Sequence, residues 1–235
     1  MPENDRENMP DGAPVARRTL LGMLGVGAAG LITAPYLQSG WEGLLAKASQ
    51  SDPTGLTGLL PNPGGFRYYS VVRSVPRKGE TDYELKIGGL VDRPRTYTLA
   101  DLRALPQTRV IHDVQCTDGW RVEKVPFDGV KLSDLLDDAG VGTGGEALSF
   151  NCFDGAYTES LTLEQARRSD VLVALRMQDA PITHEHGGPV RLYVAPMYFY
   201  KSAKWLSGIS VTSQVVPGYW EERGYDVDGW LDDKH

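Results

Sequence analysis

Three stretches of this chain carry side chains able to do chemistry. The first is His112-Asp113-Val114-Gln115-Cys116-Thr117-Asp118-Gly119-Trp120, where a short strand pattern runs into a polar, glycine-containing loop. A thiol in such a loop is open enough to act as a metal ligand. A buried cysteine, or one paired with Cys152, is the plainer reading, and these residues alone leave the choice open. The second stretch is His184-Glu185-His186-Gly187-Gly188-Pro189-Val190-Arg191. An H-x-H pair can bind metal, but no third ligand stands at useful spacing. The glycines let a backbone approach a ligand closely. Arg191 opens a strand pattern, where its guanidinium suits a phosphate or is simply a surface charge. The third stretch is Tyr198-Phe199-Tyr200-Lys201-Ser202-Ala203-Lys204-Trp205. Two lysines around a serine can surround an anion with ammonium groups, a hydroxyl and backbone N–H groups. The glycine spacing of a P-loop is missing, which excludes a nucleotide triphosphatase.

Regular elements must hold these residues. Arg67–Val75 is strand-like by its aromatic and β-branched residues. Tyr83–Ile87 alternates and ends at Gly88-Gly89. Thr98–Ala104 reads as a short helix capped by Thr98, with Asp101 three residues on. Val130–Ala139 has apolar residues at helical spacing and stops at Gly140. Thr162–Ser169 has its own capping box in Thr162 and Gln165. Ala147–Asn151 is a short strand, and Val171–Leu175, Val190–Val194 and Ile209–Thr212 read as buried strands. The class is α+β, dominated by strands, with helices inserted between them.

The chain has 235 residues, 41% hydrophobic and 23% charged, enough for one sizeable core and unlike a disordered chain. The net charge is −7 and no Lys/Arg block occurs, which excludes nucleic-acid binding. Two cysteines exclude a disulfide scaffold or an all-cysteine zinc cluster. The 27 glycines and 15 prolines favour a loop-rich, strand-rich fold over a helical bundle. Arg17-Arg18 precedes a glycine-diluted run free of charge from Thr19 to Trp41. This reads as a bacterial twin-arginine (Tat) export signal over residues 1–48, either cleaved or kept as a membrane anchor. Such signals carry folded proteins, so a cofactor inserted before export is a first expectation. Residues 49–65 read as a Gly/Pro/Ser-rich linker, and 66–235 as one domain.

Read jointly, the stretches resemble the sulfite-oxidase-like family of molybdopterin-dependent oxidoreductases. The matching residues run in order from Phe66 to Trp230. They are Leu85-Lys86-Ile87-Gly88-Gly89-Leu90-Val91, Cys116 followed by Trp120, and Pro126-Phe127-Asp128-Gly129-Val130. Asp154-Gly155-Ala156-Tyr157, His186-Gly187-Gly188-Pro189-Val190-Arg191, Lys201-Ser202-Ala203-Lys204-Trp205 and Gly218-Tyr219-Trp220 follow. The resemblance implies the family's single-domain molybdopterin-binding fold. It implies a molybdenum–molybdopterin cofactor with Cys116 as the metal's thiolate ligand. It places Cys152 near the pterin, without a disulfide to Cys116. His186 and Arg191 match positions that hold the pterin and its phosphate. Ser202, Ala203 and Lys204 match the phosphate-binding segment, and Arg67, Tyr69 and Ser70 further cofactor contacts. Tyr157 matches a tyrosine bordering the metal, with a core aromatic as its plainer role.

Two departures stand out. Sulfite oxidases proper place arginines soon after the metal-binding cysteine, whereas here Thr117-Asp118-Gly119-Trp120 follows. Their C-terminal dimerisation domain, or a fused haem domain, is not expected in a chain of this length. The resemblance is therefore to exported bacterial catalytic subunits of the methionine-sulfoxide-reductase type. It implies a membrane haem- or cytochrome-type electron-transfer subunit as partner, and a small or protein-bound sulfoxide or N-oxide as substrate. Sulfite oxidation is the alternative. A reading of another class is an exported binding module without metal, closed by a Cys116–Cys152 disulfide.

Overall fold

A computed structural model describes residues 66–231, apart from position 68. The export signal and linker expected over residues 1–65 lie outside the described residues. Among the described residues no helix is long and apolar enough to cross a membrane.

Two sheets carry the fold. The first has the order β2-β1-β10-β5-β6, built from β1 (Glu84–Gly89), β2 (Arg95–Thr98), β5 (Ala147–Cys152), β6 (Thr158–Thr162) and β10 (Leu206–Thr212). Its one parallel pair is β1 with β10, in the register Lys86↔Gly208. The second has β3 (Thr108–Gln115), β4 (Arg121–Lys131), β7 (Val171–Met177) and β8 (Ala180–Pro181) in order. There β9 (Arg191–Val194) pairs antiparallel with the first half of β7.

Sequence pattern accounts for these elements. In β1, Leu85 and Ile87 point inward and Glu84 and Lys86 outward, the alternation of a half-buried strand. In β7 every residue but Arg176 is buried. Val171, Val173 and Leu175 enter one core cluster, while Leu172 and Ala174 enter the other. The continuous apolar run of β7 is thus a strand covered on both faces. Helix α1 (Leu99–Ala104) has the full capping box, with Thr98 and Asp101 bonding each other's backbone N–H. Helix α2 (Leu132–Ala139) buries Leu132, Leu135, Leu136 and Ala139, and Gly140 closes it by donating to the Leu136 carbonyl at 2.9 Å. Helix α3 (Leu163–Ala166) carries the Thr162–Gln165 box but lasts one turn.

Two expectations are corrected. The α2 pattern begins at Val130 in the sequence, yet Val130 and Lys131 finish β4, because they pair with Val173 and Leu172 of β7. Among the described residues of the Arg67–Val75 stretch no strand forms. Arg73 sits at φ 55°, and Ser70 Oγ donates to the Ser74 carbonyl at 2.6 Å, a local turn that excludes ladder pairing.

Candidate functional site

The Cys116 turn joins β3 to β4. The Cys116 N–H donates to the Trp120 carbonyl at 3.0 Å, and the Gly119 N–H to the Cys116 carbonyl at 3.1 Å. Trp120 anchors the turn by packing edge-on against Phe66 and Phe199, at 5.9 and 6.0 Å between ring centroids. The thiol is partly buried and free, as is the buried thiol of Cys152, so no disulfide closes the domain. Burial pushes the Cys116 thiol up, with the Asp118 charge adding to it and hydrogen bonds from Thr117 and the Asp118 backbone opposing. A metal binding there displaces a proton.

Cys116 lines a cleft of about 520 Å³. Arg67, Tyr69, Ser70, Tyr157, His186, Arg191, Ser202 and Lys204 line it too. Residues far apart in sequence thus meet at one concave surface of cofactor-site size. Cys152 and Ala203 do not line it. Both are buried, Cys152 at the end of β5 and Ala203 below the cleft wall.

At this surface Arg191 is not the edge-strand charge that its sequence allows. It is buried on β9, donating to the His186 carbonyl at 2.7 Å and the Ser202 carbonyl at 2.6 Å, with its guanidinium 4.2 Å over the Phe199 ring. Burial pushes it down to about 9. Lys204 donates to the Tyr69 carbonyl and stands 4.4 Å over the Trp205 ring. Burial, then the Arg191 charge, push it down to about 7. Among the described residues neither cation forms an ion pair. Two buried cations side by side, with the Asp154 and Glu185 charges acting on Lys204 but forming no ion pair with it, favour an anion. Ser202 Oγ accepts from the Val194 N–H at 2.9 Å, which leaves its own proton to donate. Among the described residues the Ala203 and Lys204 N–H groups donate to no protein acceptor.

Other readings change. Lys201 is no anion ligand, for it is buried in an ion pair with Glu159 and Glu221. The glycines after His186 admit protein rather than a ligand: a Cβ on Gly187 would stand 2.6 Å from Lys204 Cβ, and Gly187 itself has φ +97°. His184 bonds the Lys78 carbonyl at 3.1 Å, and no metal-binding group of His, Cys, Asp and Glu occurs among the described residues. Tyr157 donates to the Tyr200 carbonyl at 2.6 Å, so its hydroxyl can only accept from the cleft. Sequence reasoning quoted Asp154 within a matching motif but gave it no role; its Oδ1 accepts from the Ala156 and Tyr157 N–H groups. Its Oδ2 is buried with no partner among the described residues, and the residue lines the cleft. Trp220, quoted only within the Gly218-Tyr219-Trp220 motif, and Tyr225, which sequence reasoning missed, also line the cleft, and no local spacing links them to Cys116.

Residues 72–220 match the family model described as the oxidoreductase molybdopterin binding domain. "Uncharacterized oxidoreductase YuiH" of Bacillus subtilis is 34% identical over 78% of this chain and 92% of its own length. "Putative protein-methionine-sulfoxide reductase subunit YedZ1" of Azospira oryzae is 26% identical over 79% of this chain and 70% of its own. The crystal structure of the sulfane dehydrogenase SoxCD from Paracoccus pantotrophus superposes with a TM-score of 0.57 at 25% identity, over 61% of this chain and 41% of that one.

The residues present fit this cofactor. Arg191, Ser202, and Lys204 with its free backbone N–H supply what a phosphate needs. The unpartnered Asp154 oxygen suits the amino and ring N–H groups of a pterin. The Cys116 thiol is a soft donor suited to a thiolate-bound metal. By its matched domain and its relatives, this strand-rich, sulfite-oxidase-like chain belongs to the molybdopterin-binding oxidoreductases, enzymes that work with a molybdenum–molybdopterin cofactor.

Proposed function

We propose that this chain is an exported reductase of sulfoxide- or N-oxide-type substrates, with Cys116 as the protein ligand of molybdenum. The observation that carries this reading is the free Cys116 thiol in the same cleft as the unpaired Arg191–Lys204 cations. When bound, the cofactor supplies a centre that cycles between the +6 and +4 states and moves an oxygen atom. The chain's own residues hold and orient it. Arg191 and Lys204 take the phosphate, Asp154 the pterin edge, and Trp120 fixes the turn that presents the thiol.

Asp118 supports a neutral substrate. Its carboxylate neighbours the Cys116 thiol in the cleft wall, and a sulfite dianion would be repelled there. Aromatic rings of Tyr69, Trp220 and Tyr225 at the rim suit the apolar flanks of a sulfoxide. The kinship with YedZ1, named as a putative protein-methionine-sulfoxide reductase subunit, supports this substrate class and work alongside a partner subunit; that the partner is a membrane haem-type electron donor is part of the proposal. The second reading, sulfite oxidation, draws on Arg67, which is exposed at the cleft.

Enzyme from a molybdenum-replete host is expected to oxidise a reduced viologen dye with methyl sulfoxides, and not to reduce ferricyanide with sulfite. The reverse pattern would overturn the direction. Export rests on Arg17-Arg18. Replacing both by lysine is expected to leave the folded, metal-loaded enzyme in the cytoplasm, as followed by fractionation. Unchanged export would remove the Tat assignment.

A further inference from the structure

A second ionic cluster lies beside the cleft, and none of its three charged residues lines it. Lys201 ends a single 3₁₀ turn, Phe199–Lys201, and is fully buried between Glu159 of β6 and Glu221 of the C-terminal segment. Its ammonium donates to Glu159 Oε1 at 2.7 Å, to Glu221 Oε1, and to the Val227 carbonyl at 2.8 Å. Glu221 Oε2 accepts from Ser160 Oγ at 3.0 Å and from the Gly218 N–H at 2.6 Å. Glu159 Oε1 also accepts from the Ser160 N–H at 2.8 Å. Glu221 and the Val227 carbonyl thus tie the C-terminal segment to the 3₁₀ turn, and Glu221 ties it also to Ser160 of β6.

The segment concerned, residues 218–228, runs as a strap over β6, an edge strand. Gly218 lies flat against the strand: a Cβ there would stand 2.7 Å from the Thr158 carbonyl oxygen and 2.8 Å from Glu159 Cα. The Tyr219 N–H donates to the Thr158 carbonyl at 3.0 Å. The strap then carries Trp220 and Tyr225 to the cleft rim, with their rings 5.0 Å apart. Tyr225 meets Tyr200 at 5.2 Å, and Trp220 meets Tyr69 at 5.8 Å. The outer wall of the cleft therefore hangs on a strap whose one buried charge anchor is Glu221.

We propose that Lys201, Glu159 and Glu221 form a latch that holds the strap on β6 and thereby positions Trp220 and Tyr225 as the wall that retains the cofactor. The retention step rests on the cleft being the cofactor's seat; the latch itself does not. Two carboxylates facing one ammonium in a dry site carry a surplus negative charge unless a proton is shared. Burial, with the Glu221 charge adding and Lys201 opposing, pushes Glu159 up to about 8. Burial alone would raise Glu221, but hydrogen bonds from Glu159, Lys201 and the Gly218 N–H hold it below its ordinary value. The closed latch at neutral pH is thus a carboxylic acid, a carboxylate and an ammonium, neutral in sum.

The other groups around Glu159 do not compete for this proton. Cys152 of β5, Tyr157 and Tyr200 face it, and burial pushes all three further up. Asp226 and Asp228 stand beyond, on the strap, with Asp228 tied to Gln165 at 3.0 Å. When the strap lifts, Glu159 meets water and returns to its ordinary value of 4.5. Between that value and about 8 the closed form holds a proton that the open form lacks. Opening therefore becomes easier as pH rises through this window, by up to roughly tenfold per pH unit, and levels off above it.

Backbone hydrogen exchange of peptides spanning residues 218–228, in the full-length protein and corrected for the intrinsic pH dependence of exchange, reads the latch directly. The expected result is an open fraction that climbs from pH 5 to 8 and then flattens. Glu159→Gln, a neutral isostere of the protonated acid, is expected to abolish the climb and keep the strap protected at pH 8. Lys201→Met is expected to expose the strap at every pH and speed pterin release, followed by fluorescence of the freed pterin. A wild-type profile in Glu159→Gln overturns the latch, and does so whether or not cofactor is bound. A strap that opens in Lys201→Met while pterin release stays at the wild-type rate overturns the retention role.

Discussion

Replacing Cys116 by serine is expected to cut turnover by on the order of a thousand-fold or more, with the fold intact. The turn around it is closed by the Cys116 N–H and carbonyl and anchored by Trp120, none of which uses the thiol. Serine keeps these bonds and nearly the same volume. What it lacks is a soft donor: its hydroxyl ionises far less readily than a thiol and suits a hard cation instead. Steady-state rates, circular dichroism and molybdenum content, taken on one preparation, make the test. Native-like turnover in this variant would remove Cys116 from the metal.

The second large effect belongs to the anion site. Lys204→Ala is expected to weaken cofactor binding by about 10- to 150-fold, the loss of one charge-assisted hydrogen bond of about 1.5–3 kcal/mol. Arg191→Met is expected to cost more, because the guanidinium also ties the His186 and Ser202 carbonyls together. Purified Lys204→Ala with full molybdenum and native pterin release would contradict the role assigned to it. The site also predicts a pH signature. Without an anion the Lys204 ammonium sits at about 7. A bound phosphate raises it, so binding takes up a proton above that value. The contribution of Lys204 to affinity is expected to be flat below about pH 7 and to fall above it, on top of the rise with pH that proton release at Cys116 gives. Lys204→Arg, which keeps its charge, is expected to flatten that fall, as measured by pterin retention across pH.

Local chemistry made much of the framework legible. The Leu132, Leu135, Leu136, Ala139 spacing, the two capping boxes and the Gly140 stop are set by residues within one or two turns of each other. The both-faces burial of β7 is written in its unbroken apolar run. Arg67–Val75 misled because aromatic and β-branched residues suit a strand and a cleft wall equally, and Tyr69, Ser70 and Val71 serve the cleft. Lys201 and Lys204 are near neighbours in sequence, yet one turn of 3₁₀ helix sends the first into the Glu159–Glu221 pair. Those partners lie 42 residues before Lys201 and 20 after it, and nothing periodic announces them. Cys116, Arg191 and Lys204 were legible through a family resemblance, not through their own spacing. Asp154 stood in a matching motif without a role, and its role rests on its second oxygen, which has no partner among the described residues.

The Cys116 turn caps a hairpin whose β3 is an outermost strand, whereas Arg191 and Ser202 are rooted in buried structure. That separation bears on how such a protein diversifies. Thr117 and Asp118 can be rewritten without disturbing a core strand or the buried Arg191, whereas Gly119 is held by its φ of +86°. A lineage can therefore exchange one oxidisable or reducible compound for another by changes at a peripheral tip, while inheriting its expensive prosthetic group and the means of keeping it unaltered.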